Sequence, residues 1–251
     1  MKPLSIYLLS IEYSNHTNGV DRHIEVFMKG LRKLTNIKCI YFAFTSKPNL
    51  MFPREYHINN NCTKVYIPLP HKSNQIFHDP NLLSLYNREV CDVIKDYLVN
   101  RECRILHVHT LNMMPFALYV KSKFKCKIIS HIHCIPWKYN IDWNPGKFFY
   151  QWNREYQRKY NEKKQMITIA GEWEAYNLSD HIVCVTECGK KFVEYMQEQH
   201  PNIHVIYNDI YNTFDERKIR RNTSDNGLCH ILFVGGSSKT TLLCTASRLK
   251  R

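Results

Sequence analysis

Short apolar runs alternate with stretches of helical spacing along most of this chain, and that alternation admits few folds. Strands buried on both faces and joined by crossover helices form a parallel sheet. The first run, residues 4–11, is continuous enough in apolar side chains to be covered on both sides. A polar break at residues 13–19 follows. Then Val20, Ile24, Phe27, Met28 and Leu31 fall at helical spacing, with Arg22, Glu25, Lys29 and Arg32 left for the other face. The opening unit is therefore a strand, a glycine-bearing loop and a helix.

The rhythm continues with strands predicted at residues 37–43, 64–67, 105–108, 127–132, 181–185 and 203–206. Helices are expected over 82–98, from about Pro115, and over 189–199. The Pro, Asn and Lys content of residues 47–61 predicts a long loop before the strand at 64. The expected organisation is a Rossmann-like domain over 1–206, with helices on both faces of a parallel sheet, a polar linker over 207–228, and the truncated start of a second domain over 229–251. That last stretch opens with the apolar run 229–234 and Gly235-Gly236.

With 44% hydrophobic and 23% charged residues in 251 positions, the composition is that of a globular protein with a core of its own. No run reaches the roughly 18 apolar residues of a membrane span, and the start turns polar too early for a secretory signal. The expectation is a cytoplasmic protein. Ten cysteines are dispersed without a C-x-x-C pair, which reads as small buried hydrophobes in a reducing compartment. Thirty-five Lys and Arg against 22 Asp and Glu give a net charge of +13, an attraction for phosphate, anionic lipid or acidic glycan. No zinc-finger, RNA-recognition or helix-turn-helix pattern accompanies the charge, so nucleic acid is not the expected partner.

Three features could carry chemistry. The loop Asn18-Gly19 lets the backbone approach a ligand at a helix N-terminus, whose free N–H groups suit an anion. It is neither a dinucleotide fingerprint nor a Walker loop. The pairs His107/His109 and His131/His133 each occupy alternate positions at the end of a strand, so each faces one side at the carboxyl edge of a parallel sheet. A metal site is one reading of them; with no carboxylate nearby in sequence, one packed and one cleft-lining histidine in each pair is the preferred reading. Finally, Phe148, Trp152, Tyr156 and Tyr160 make an aromatic stripe on a helix that also carries Arg158, Lys159, Lys163 and Lys164. Such a helix can lie on an anionic bilayer or pack on the sheet.

In this order the motifs resemble the amino-terminal, acceptor-binding domain of glycosyltransferase family 4, the retaining nucleotide-sugar-dependent enzymes of GT-B fold. HTNGVDRHIEVFMKGL is similar to the family's glycine loop and first helix, ILHVHTLN to a strand ending in H-x-H, and IISHIHCIP to the strand ending in an active-site histidine. SDHIVCVTECGKKF and HVIYNDIYN resemble later strands, and HILFVGG the first strand of the donor-binding domain. The resemblance implies that Asn18 and Gly19 contact the donor diphosphate and that His133 lines the cleft beside the transferred sugar as the catalytic-site histidine. It implies that His109, Thr186 and Asn208 line the cleft, Thr186 and Asn208 at structural or cleft-edge positions. It implies no metal and no cofactor other than the nucleotide-sugar substrate, and a glycan or lipid-linked acceptor. Phe148, Trp152, Arg158 and Lys159 would touch acceptor or the inner face of an anionic membrane.

The departures are as specific. Gly235-Gly236 stands where the family has Gly-Arg, Lys239 comes early with no glycine after it, and Asn208-Asp209 replaces Asn-Gly. The family's paired donor-site glutamates, eight residues apart, are absent. Because these groups stabilise the departing diphosphate, the expectation is weak transfer or none. The tail from Ser237 is compatible with a shifted reading frame of a complete enzyme. Two other readings stay open: a non-catalytic remnant that binds acceptor or membrane, and a metal-dependent hydrolase built on the histidine pairs.

Overall fold

An eight-stranded sheet in the order β3-β4-β2-β1-β5-β6-β7-β8 organises the polypeptide. The structure, a computed structural model, describes residues 4–12, 19–47, 49–70, 76–77, 79–99, 103–134, 174–196 and 202–208, all within the compact unit Met1–Asp209. The strands are β1 (Leu4–Glu12), β2 (Ile37–Thr45), β3 (Arg54–Asn59), β4 (Cys62–Pro68), β5 (Cys103–Val108), β6 (Lys127–Ile132), β7 (His181–Cys184) and β8 (Ile203–Val205). The helices are α1 (Gly19–Leu31), α2 (Pro80–Leu98), α3 (Met114–Lys123) and α4 (Glu187–Met196).

Every strand pair is parallel except β3–β4. β1 is buried at every position but its two ends, as its apolar run requires of a central strand covered on both faces. Alternation sorts its side chains into two cores. Ile6 and Leu8 pack with Ile24, Met28 and Leu31 of α1. Tyr7, Leu9 and Ile11 face the other way, toward Val90, Ile94 and Leu98 of α2 and Phe116, Ala117 and Val120 of α3. Helices thus cover both faces, and the chain winds outward from β1 toward β2 on one side and from β5 toward β8 on the other. The winding reverses between β1 and β5, and the carboxyl ends of strands at such a switch are where sheets of this kind place their ligand crevice.

Local chemistry sets the helix ends. Asp79 accepts hydrogen bonds from the backbone N–H groups of Asn81 and Leu82 at 2.9 and 3.2 Å, with Pro80 at the first helical position of α2. A single 3-10 turn, Leu111–Met113, leads into α3, where Pro115 again sits in the first turn.

Residues 47–61 correct the expectation of a long loop. They contain β3, which runs antiparallel to β4 with a register shift between His57 and Asn59. Five of its six residues are exposed. An edge strand with a wet face needs no apolar run, so its charged sequence reads as loop although the backbone pairs. Seven described cysteines are free thiols; five are buried, whereas Cys134 and Cys188 are exposed and depart from the expectation of burial. Among the described residues no helix is long and apolar enough to cross a membrane.

Candidate active site

Five imidazoles meet at the carboxyl end of β5 and β6. His107 and His109 share the face of β5 turned toward α1, and His131 and His133 share the same face of β6, because residues two apart on a strand point one way. In the register, His107 pairs with Ile129 and Val108 with Ser130, which sets the two histidine pairs side by side but staggered. His107 Nε2 lies 3.1 Å from His131 Nδ1, and His109 Nδ1 lies 2.9 Å from His133 Nε2. His131 and His133 stack with ring centres 4.4 Å apart and planes within 6°. The fifth ring is that of His23 in α1, with its centre 4.6 Å from that of His131. Phe27, one turn further on, meets His107 edge-on.

Burial is deep. His107, His109 and His131 are 8%, 5% and 3% exposed, so both histidines of the first pair are packed, which corrects the expectation of one packed and one cleft-lining residue there. The second pair follows it, with His131 packed and His133 partly open. Removal from water lowers the His107 pKa to about 3, helped by the nearby charges that His23 and His133 would carry. The same burial, followed by repulsion from neighbouring imidazoles, holds His131 at about 2 and His133 at about 4, and keeps His109 well below the ordinary histidine value. Burial also lowers His23, against a hydrogen bond with the Asn208 side chain that favours its charged form. At neutral pH the cluster is a set of uncharged donors and acceptors. His109 Nε2, His131 Nε2 and His133 Nδ1 are buried with no hydrogen-bond partner among the described residues.

Among the described residues, the structure joins most of those singled out in the sequence. His109, His133 and Asn208 all meet the cluster. Gly19 is the exposed first residue of α1, with open space where a Cβ would stand. It precedes His23 by four positions, so both lie on one side of the helix about 6 Å apart along the axis. Thr186 Oγ1 accepts the N–H of Gly189 at 2.9 Å, capping α4. Asn18, Phe148, Trp152, Arg158 and Lys159 lie outside the described residues. Sequence reasoning missed His23, because one histidine among the polar residues of an amphipathic helix looks like surface. Its spacing from Gly19 was the signal that could have found it.

The floor of the crevice is tied down at the next strand. Ser10 Oγ and Thr110 Oγ1 are 3.2 Å apart, Ile11 donates its N–H to Thr110 Oγ1 at 3.2 Å, and the His109 N–H reaches Leu9 O at 2.8 Å. At the last residue of β1, Glu12 pairs with Lys64 at 3.2 Å and Lys47 at 3.7 Å. Both lysines lie 4.4 Å from the centre of the Tyr66 ring. Together with Arg54 and Tyr56 they line an open pocket of about 450 Å³. Burial works against the charge on Lys64, but Tyr66 and Glu12 outweigh it and raise its pKa.

A doubly wound, mostly parallel sheet with its switch between β1 and β5 defines the class, a Rossmann-like α/β domain of the kind found in GT-B proteins. Comparison with known proteins agrees. The sequence pattern of Glycosyltransferase Family 4 matches residues 17–210, and the chain belongs to that family. Among solved structures, it superposes on sucrose-phosphate synthase from Thermosynechococcus elongatus with a TM-score of 0.51 at 12% identity, covering 81% of this chain and 48% of that one. The lipopolysaccharide outer core galactosyltransferase WaaB gives a TM-score of 0.49 at 12% identity, over 82% and 46%. At 12% identity the likeness to sucrose-phosphate synthase is one of fold. The chain spans about half the length of these structures. A comparison with curated proteins finds no match.

Proposed function

We propose that this chain supplies the acceptor-binding half of a retaining glycosyltransferase that moves a sugar from a nucleotide donor to a glycan or lipid-linked acceptor. The observation that carries the reading is the convergence of the N-terminus of α1 and five neutral histidines on one crevice of a family 4 domain. The exposed backbone at Gly19 suits a diphosphate. An uncharged His133, whose Nδ1 has no partner among the described residues, suits a sugar hydroxyl better than a charged ring would. The pocket beside Glu12 combines Tyr56 and Tyr66 with Lys47, Arg54 and Lys64, a set that favours a saccharide carrying an anionic group.

Turnover requires charge stabilisation of the leaving diphosphate, and the residues that supply it in the family are absent from the sequence after Gly235. Transfer by this domain needs a donor-binding half that carries such groups. The +13 charge supports work at an anionic membrane face on the cytoplasmic side. The test is to measure nucleotide diphosphate release from a panel of nucleotide sugars by the chain joined to a family 4 donor-binding half, alongside saccharide binding by the chain alone. Release that depends on His133 is expected; no release and no saturable saccharide binding would overturn the reading.

A further inference from the structure

Two strands and one helix bring three imidazoles to one point. One ring nitrogen from each of His23, His109 and His131 lies within 4.8 Å of the other two. We propose that these three histidines form a binding site for a borderline first-row dication of the zinc type, with a fourth coordination position left for water or a ligand.

The first support is the unpaired nitrogens. His109 Nε2 and His131 Nε2 belong to side chains that are 5% and 3% exposed, and neither atom has a hydrogen-bond partner among the described residues. Buried polar atoms are rarely left so in native proteins. Two in adjacent rings, beside a third histidine, call for a group that accepts lone pairs.

The second support is what holds the rings. The other nitrogen of each is engaged: His131 Nδ1 with His107 Nε2 at 3.1 Å, and His109 Nδ1 with His133 Nε2 at 2.9 Å. If both Nδ1 atoms carry the proton and donate it, both Nε2 lone pairs are left free to bind a ligand. A metal-bound histidine is held in this way, its second nitrogen donating to a neighbour that fixes the tautomer. His107 and His133 would be those neighbours. The missing carboxylate, which weighs against a hard cation, is no obstacle to zinc, copper or nickel, which accept imidazole alone. Tetrahedral zinc with bonds of about 2.0–2.1 Å needs ligand atoms about 3.4 Å apart, so binding would draw the three rings together from separations of up to 4.8 Å.

The site shares His133 with the crevice of the proposed function but does not need that reading, and it makes no claim of hydrolysis. Occupied, it would fasten α1 to β5 and β6 at the floor of the crevice.

The experiment uses the tag-free chain, stripped with EDTA and titrated separately with Co²⁺ and Zn²⁺. Expected are one equivalent of tightly bound metal, visible absorption of four-coordinate Co²⁺ that Zn²⁺ abolishes, and a rise in Tm. His109→Gln and His131→Gln should each weaken binding by at least about 100-fold, and His107→Gln, a change in the supporting shell, by about 10–100-fold. His204→Gln is the control, because His181 Nδ1 and His204 Nε2, 3.4 Å apart on the surface, are a competing chelate; it should change nothing. Circular dichroism checks each fold. If the strand variants do not fold, His23→Gln on the half-buried helix face decides, with the same loss expected. The proposal is overturned if the wild-type chain binds no stoichiometric metal, if binding survives the folded cluster variants, or if it disappears in His204→Gln.

Discussion

The His23 ring lies with its centre 5.1 Å from that of His133 and its plane turned by 70°. One residue comes from the first turns of α1 and the other from just beyond β6, more than a hundred positions later in the sequence. Their contact brings the glycine-led end of α1 to the strand end that carries the candidate catalytic histidine. A His133→Ala chain joined to a donor-binding half should lose about 10²-fold in kcat with a smaller change in KM for the donor. Steady-state kinetics of diphosphate release check this, and an unchanged kcat would remove His133 from the reaction.

The buried imidazoles make stability depend on pH with a definite sign. Their pKa values fall on folding, so the unfolded chain binds more protons than the folded one below about 6.5. Their contribution is complete above that value and is lost as pH falls toward the folded values of about 4 for His133 and about 3 for His107. Well below 6.5 the slope approaches ~1.4 kcal/mol per pH unit for each such histidine. Urea denaturation between pH 8 and pH 5 should show a steep decline that His107→Gln makes shallower; an identical slope would contradict the burial argument.

Asp180 ties β6 to β7. Its carboxylate accepts from Lys121 at 2.8 Å, Lys127 at 2.9 Å and the N–H of Ile128 at 2.8 Å. Burial opposes its charge, but Lys121, the Ile128 N–H and Lys127 outweigh it and hold the carboxyl below the usual range. Asp180→Asn should destabilise the fold by about 1–3 kcal/mol, read from equilibrium denaturation at neutral pH. The difference from wild type should narrow in acid, where the wild-type carboxylate is itself protonated.

Thr186 separates a structural from a ligand-binding role. Losing the cap on α4 should cost about 1 kcal/mol in Thr186→Ala, most of it recovered in Thr186→Ser. Saccharide binding should not change once the protein is folded. A binding loss without a stability loss would move Thr186 into the crevice.

The interior offers a plainer check. Phe116 is 1% exposed, and its ring centre lies 5.4 Å from that of Phe44 across the α3 side of the sheet. Phe116→Ala should cost about 3–5 kcal/mol, and a midpoint shift worth under 1 kcal/mol would mean that this core is not packed as described.

Local pattern alone reached the parallel sheet, the helix at α1 and the strand-end histidines, because burial on two faces and helical spacing leave periodic marks in a sequence. It also reached the two-residue spacing that puts His107 with His109 and His131 with His133 on one side of each strand. The edge strand β3 left no such mark, since its exposed face holds whatever water tolerates. Only the tertiary structure decided that the two histidine pairs lie against each other, that His23 completes them, and that Thr186 caps a helix. The physical reason is the same for each. Strand order and register fix which distant residues become neighbours, and burial among those neighbours, unlike spacing, fixes whether a histidine carries charge.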